Sequence, residues 1–352
     1  MTSSAPTGPA PDGIDAVRVT AWFADHVPGA AAPLAFSLVA GGRSNLTFVV
    51  EDADGQRYVL RRPPLGHVLP TAHDMGREHR LLQALAPTDV PVPRTYGLCT
   101  DESVNGAPFY VMEFVDGHIV RTPEIARSEL TPAARAAAGG HLADTLATLH
   151  AVDVDAVGLG DLARRDGYIQ RQLKRWGEQY RQMQVEGVHH SGMVEKVGEA
   201  LAARIPPQVG TAIVHGDYRL DNTVIDDDGT VLAILDWELC TLGDPLADLG
   251  LLLCYWSEPG DEMVPLGSAP TTATGFATRD EVRERYAAAS GRDVSEVRFY
   301  QAFAYWKVAC VLQGVYARYV GGAGAGDPQS VDHYPAQVEM LAELAADTLG
   351  SR

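Results

Sequence analysis

At 352 residues the chain is too long for one minimal core, and its 46% hydrophobic and 21% charged residues suit a folded protein of one large domain or two lobes, not a disordered one. Twenty-eight Lys and Arg against 46 Asp and Glu leave a formal charge of −18, which disfavours nucleic acid or an anionic membrane as a partner. Cys99, Cys240, Cys254 and Cys310 form no Cys-x-x-Cys pair and read as buried reduced thiols, as in a cytoplasmic protein, not as a disulfide framework or zinc site.

Met1 to Gly13 is rich in Ser, Ala, Pro and Gly but has neither the basic start nor the apolar centre of a secretory signal, so a disordered tail is expected. No run approaches the ~20 apolar residues that span a bilayer, so a soluble protein is expected. From Leu46 to Arg62 the order is LTFVVE, the turn Asp52-Ala53-Asp54-Gly55, then RYVLRR, which predicts a β-hairpin. Met75, His79, Leu82 and Leu85 share a helical spacing that Ala86-Pro87 ends. Pro108 to Val115 (PFYVMEFV) reads as a buried strand running into Asp116-Gly117, and the lobe boundary is placed there.

Beyond it, Thr131-Pro132 is a helix start, with Leu142, Leu146 and Leu149 continuing on one face. Short strands are expected at Thr211 to His215 and Thr230 to Asp236, with the turn Asp226 to Gly229 between them. From Glu281 the pattern is helical, broken at Gly291-Arg292 and at the glycine-rich 321–326 loop.

Chemistry clusters in VHGDYRLDN. Asp217 follows a strand, Asn222 lies five residues on, and Asp236 closes the next hairpin. Phosphoryl transfer needs a carboxylate at the acceptor hydroxyl and hard oxygen ligands for Mg²⁺, and these three side chains supply both. Any one of them alone reads better as a turn former.

Together they resemble the catalytic and metal loops of protein kinases and, with His-Gly-Asp for His-Arg-Asp, of aminoglycoside phosphotransferases and choline kinases. The resemblance implies an α+β, two-lobed protein-kinase-like fold with a small β-rich N-lobe and a larger, mainly helical C-lobe. It implies Asp217 as the catalytic residue, Asn222 and Asp236 as metal ligands, and ATP with Mg²⁺ as cofactors. Asp236-Trp237-Glu238 stands where protein kinases have Asp-Phe-Gly, and Asp244 and Asp248 of GDPLADLG, with His215, are expected to brace the loop.

On this reading residues 1–29 are a tail and lead-in, 30–115 the nucleotide-binding lobe and 116–352 the lobe carrying the catalytic loop, metal site and acceptor pocket. Gly42, Ser44 and Asn45 are candidates to fold over phosphates, although a Gly-Gly turn joining strands is the plainer meaning. Arg61 stands where kinases carry a phosphate-binding lysine, with Glu78 on the next helix as its partner. An arginine there departs from the pattern, and a plain Arg61–Glu78 ion pair is the competing account. Glu113 and Val115 belong to the run that resembles the adenine-receiving hinge.

YVLRRPP, GLGDLARRDGYIQRQLKRW and FYQAFAYWKVACVLQGVYARY resemble the phosphotransferase domain at the N-terminus of certain acyl-CoA dehydrogenases and its free-standing bacterial relatives, over about residues 30–350. That implies a hydroxyl on a hydroxyacyl-CoA or hydroxy acid as phosphoryl acceptor. The cations Arg164, Arg165, Arg171, Lys174, Arg175 and Arg181 are a candidate clamp for a phosphate-bearing acceptor, or ordinary helix-surface charges. Trp306, Gln313, Tyr316 and Arg318 are expected around the acceptor pocket, or else in the core. An aminoglycoside acceptor and a non-catalytic nucleotide-binding module are the alternatives. Monomer and homodimer, and ATP and GTP, are left open.

Overall fold

The computed structural model describes residues 10–39, 45–65, 73–183, 188, 190–261, 263–265, 269–321 and 332–350. The chain forms two compact units, one running to Asp116 and also taking in Leu232–Glu238, the other comprising Gly117–Val231 and the chain from Leu239.

The first unit holds α1 (Ala16–His26), β1 (Ala35–Leu38), β2 (Leu46–Glu51), β3 (Arg57–Arg62), α2 (Met75–Leu85), β4 (Thr95–Cys99), the single turn α3 (Glu102–Asn105) and β5 (Phe109–Glu113). Its strands form one antiparallel sheet in the order β1-β2-β3-β5-β4. The expected hairpin is β2–β3, with Leu46 opposite Arg62 and Glu51 opposite Arg57. Its turn is fixed by Asp52, whose carboxylate accepts from the N–H groups of Asp54 (2.9 Å), Gln56 (2.8 Å) and, from outside the turn, Ala31 (3.1 Å). Phe48 and Val50 of β2 and Tyr58 and Leu60 of β3 pack with Trp22 and Phe23 of α1 and with Phe109 and Val111. The helix expected from Met75 is α2, capped by Asp74 accepting from Arg77 N–H, and Met75, Leu81, Leu82 and Leu85 are buried along it.

The second unit contains α4 (Pro123–Glu129), α5 (Pro132–Ala151), α6 (Tyr168–Gln182), α7 (Gly192–Ala202), β6 (Ala212–Val214) and β7 (Thr223–Ile225). After β8 (Val231–Ile234) come β9 (Thr241–Gly243), α8 (Leu246–Tyr255), α9 (Arg279–Ser290), α10 (Val297–Val320) and α11 (Tyr334–Gly350). Thr131 caps α5 as expected, accepting from Ala134 N–H at 3.1 Å. From Val297 to Gly314, α10 is buried on nearly every side, as a helix apolar all round must be, and it packs on α6, α7, α8 and α11. Gly250 permits the α8–α10 crossing, because a Cβ there would lie 2.4 Å from the carbonyl carbon of Tyr300. All four cysteines are buried free thiols.

Two features differ from the linear reading. Segment 232–238, assigned to the second lobe by chain order, groups with the first unit, where Ile234 N–H donates to Pro91 O at 2.9 Å. And β6 pairs with β9, Ile213 facing Leu242, a three-residue strand too short to carry an alternating pattern.

Candidate active site

Arg61 and Arg62 leave β3 on opposite faces, as successive strand residues must. Arg62 donates through Nε to Pro63 O at 3.1 Å and through Nη1 to Asn105 O at 3.1 Å and to Gly13 O. Arg61 meets α2 instead, its Nε 3.0 Å from Glu78 Oε2, while its Nη2 pairs with Asp236 Oδ1 and lies 3.8 Å from Glu238 Oε2. Glu78 is 2% exposed and accepts from Tyr110 Oη and Asn45 Nδ2, each at 3.0 Å. Burial pushes its carboxyl upward, and Arg61 is the main force holding it charged.

Asn45 also donates to Glu238 Oε2 at 3.3 Å and meets His73 Nδ1 at 2.7 Å, so its side chain belongs to this network. Gly42 and Ser44 lie outside the described residues. Glu113 ends β5 with its N–H donating to Arg94 O at 2.8 Å, and Val115 is half-buried two residues on. Asp236 has φ +64°, the single positive value at a non-glycine among the described residues, and such strain clusters at functional positions. Trp237 beside it is buried, its indole donating to Ile234 O at 3.1 Å.

In the second unit, Asn222 Nδ2 donates to both the main-chain oxygen and the Oδ2 of Asp217, each at 2.8 Å. Two acceptors on the nitrogen fix the amide's orientation and turn its oxygen away from Asp217. That oxygen is of the hard kind Mg²⁺ selects. Arg219 lies 3.5 Å from Asp217 Oδ2 and 3.1 Å from Asp221 Oδ1, its guanidinium 5.0 Å from the centre of the Tyr255 ring. Burial raises the Asp221 carboxyl, and Arg219 opposes that rise.

Under the loop, Asp248 accepts the N–H groups of His215 at 2.6 Å and Gly216 at 2.9 Å, and His150 Nε2 lies 3.3 Å from its Oδ2. Asp217 N–H donates to His215 Nδ1 at 3.3 Å. Asp244 accepts from Tyr300 Oη at 2.6 Å and Leu246 N–H at 3.1 Å. Asp248, backed by His150, and His215 thus hold the loop, whereas Asp244 ties Tyr300 of α10 to the start of α8.

Sequence reasoning passed over Arg219 and Lys307. Arg219 sits inside the motif two residues after Asp217, where its pairing is readable by proximity. Lys307 is a lone cation in the apolar stretch FAYWKVAC of α10, a signal that was available. The six cations ending at Arg181 meet different partners: Arg165 pairs with Asp155, Arg171 donates to Arg164 O at 2.7 Å, and Arg175 lies 5.1 Å from the Trp176 ring centre. Lys174 and Arg181 instead border a cavity of about 510 Å³ between α6 and α7, facing Glu195 and Glu199. Trp306 also lines it, its indole donating to Val194 O at 2.8 Å, and Gln313 is buried.

Residues 35–300 match the model of the phosphotransferase enzyme family. The chain belongs to that family. Acyl-CoA dehydrogenase family member 10 of Mus musculus is 36% identical over 310 residues, 87% of this chain and 28% of that protein. The phosphotransferase chain spans only 28% to 41% of the length of the acyl-CoA dehydrogenase relatives it matches in mouse and rat. A candidate aminoglycoside phosphotransferase of Ralstonia eutropha JMP134 has the same fold with TM-score 0.77 and 35% identity, covering 95% of this chain and 98% of that one. A spectinomycin phosphotransferase solved with ADP and spectinomycin shares the fold alone, with TM-score 0.63 and 11% identity over 95% of this chain and 98% of its own. The phosphotransferase is thus α+β with a protein-kinase-like fold, and none of its described helices is long and apolar enough to cross a membrane.

Proposed function

We propose that this phosphotransferase moves the γ-phosphoryl group of Mg-ATP to a hydroxyl of a small molecule, with a hydroxyacyl-CoA or hydroxy acid as the acceptor class. The observation that carries the reading is the two-point grip of Asn222 on Asp217. A turn former needs no such grip, whereas a carboxylate that must meet an incoming hydroxyl needs its direction fixed. Asp217 accepts the hydroxyl proton as the acceptor oxygen bonds to the γ-phosphorus and the bond from phosphorus to the β,γ-bridging oxygen breaks, releasing ADP.

Asn222, through the oxygen turned from Asp217, and Asp236, through a carboxylate shared with Arg61, would hold Mg²⁺. When bound, the ion neutralises charge on the phosphate oxygens. Arg61, held by Glu78, would serve the phosphates in place of the kinase lysine, and Asn45 would keep that pair in place. Gly42 and Ser44 would cover the phosphates, and the main chain at Glu113 and Val115 would receive the base. The acceptor class is supported by the relatives with an acyl-CoA dehydrogenase name. The Ralstonia neighbour supports an aminoglycoside as the second reading.

The test is ADP release with Mg-ATP across hydroxyacyl-CoAs, free hydroxy acids and aminoglycosides, with Asp217→Asn run beside the wild type. Turnover confined to the CoA and hydroxy-acid rows, and absent in Asp217→Asn while nucleotide still binds, is the expected result. Turnover that survives Asp217→Asn overturns the assignment, and turnover with aminoglycosides alone selects the second reading.

A further inference from the structure

Lys307 lies in the middle of α10, 8% exposed, where an ammonium is expensive to bury. Among the described residues it makes no ion pair within 4.0 Å. Its hydrogen bond runs from Nζ to the carbonyl oxygen of Gly216 at 2.9 Å, and the Trp176 ring centre lies 6.0 Å away. Burial pushes the ammonium pKa down, and Asp217 and Asp248 are the chief charges opposing that. A methionine would fill the same space without the desolvation cost, so packing does not account for the lysine.

The bonded carbonyl belongs to the peptide that joins Gly216 to Asp217. Asp248 holds the two N–H groups ahead of that peptide, and His215 Nδ1 takes the N–H of Asp217 itself. Gly216 has φ +84°, and a Cβ there would stand 2.8 Å from Leu239 O, so the residue has no side chain with which to anchor itself. With its N–H side held by His215, the plane of the peptide is completed from the carbonyl side by Lys307 alone among the described residues.

We propose that Lys307 is a positioning residue for phosphoryl transfer: its buried ammonium holds the Gly216 carbonyl and thereby sets the direction in which Asp217 presents its carboxylate. The assignment rests on Asp217 being the group at the acceptor hydroxyl. Without the ammonium the Gly216–Asp217 peptide is free to rotate, and a displacement of about 1 Å at a reacting group costs on the order of 100-fold in rate. Nucleotide binding does not depend on the aim of this carboxylate and stays as it was.

The experiment compares wild type, Lys307→Met, Lys307→Arg and Asp217→Asn for Mg-ATP-dependent ADP release with the acceptor found above, alongside thermal unfolding. Lys307→Met is expected to lose about 10- to 100-fold in kcat with KM for ATP within about threefold and an unchanged or higher Tm. Lys307→Arg, which restores a cationic donor, is expected to recover most of the rate. Wild-type kcat in Lys307→Met overturns the proposal while leaving the phosphotransfer reading intact. So does a rate loss matched by a fall in Tm with no recovery in Lys307→Arg. If Lys307→Met does not fold, Lys307→Arg decides alone: a folded protein with wild-type KM for ATP and at least a tenth of the kcat supports the assignment, and any lower kcat removes it. A wild type indistinguishable from Asp217→Asn on every acceptor sinks the phosphotransfer reading, and the positioning role with it.

Discussion

Arg61 and Glu78 form a buried ion pair, Nε to Oε2 at 3.0 Å, with Asp236 on the same guanidinium. Removing one member of such a pair leaves the other charge without its counterion, at a cost of about 3–5 kcal/mol. Arg61→Met should therefore destabilise by about that amount in denaturant unfolding, and Arg61→Met combined with Glu78→Met should recover most of the loss. A single variant within about 0.5 kcal/mol of wild type would mean that the pair is held only as tightly as a surface contact.

Asn222 supplies a donor to Asp217 that an aspartate cannot supply. Asn222→Asp sets a carboxylate against both the Oδ2 and the main-chain oxygen of Asp217, where the native contacts are 2.8 Å. Like charges at that distance repel or force one group to keep its proton, and either outcome spoils a carboxylate that must accept one. The expected fall in kcat is about 100-fold or more, with a changed Mg²⁺ dependence of initial rates. Unchanged rates across an Mg²⁺ titration would remove Asn222 from the site.

How much of this was legible in the linear chain depends on the range of each interaction. The β2–β3 hairpin, α2 and the cap of α5 follow from neighbouring residues, and Asp217 with Asn222 sits in one nine-residue motif, so all were readable. The pairing of β6 with β9 and the bond from Lys307 to Gly216, 91 positions apart, arise only once tertiary packing exists. The basic run was not resolvable from linear order either. Arg165, ahead of α6, pairs with Asp155, while Arg171 and Arg175 on α6 meet Arg164 O and the Trp176 ring, partners that linear order does not reveal.

Gly216 cannot be replaced cheaply. Its φ of +84° disfavours any side chain, and the Cβ of an alanine would press on Leu239 O at 2.8 Å. Gly216→Ala should cost about 1–3 kcal/mol of stability by the backbone strain alone. It should lower kcat as well, since the peptide that leads into Asp217 must move. Calorimetry and steady-state rates on the same preparation check both effects, and a variant with native Tm and native kcat contradicts the geometry.

His150 links the loop's support to pH. Its Nδ1 meets Tyr286 Oη at 2.7 Å and its Nε2 faces Asp248, and burial, only partly offset by Asp248, lowers its pKa below the usual histidine value. In the unfolded chain the imidazole titrates near 6.5, so just below that pH the unfolded state binds a proton that the native state refuses. Stability from this group is therefore complete above about pH 6.5 and drains away as pH falls toward the depressed native pKa, with a slope of up to about 1.4 kcal/mol per pH unit. Asp248, also depressed, acts in a different window: its contribution is present above about pH 3.9 and is lost as pH falls through its lower native value. The two effects separate by subtraction. His150→Asn, less stable at neutral pH for its lost contacts, should show a shallower decline in unfolding free energy from pH 7.5 to 5.5 than wild type, and parallel curves would show that His150 is free to take up its proton in the folded state.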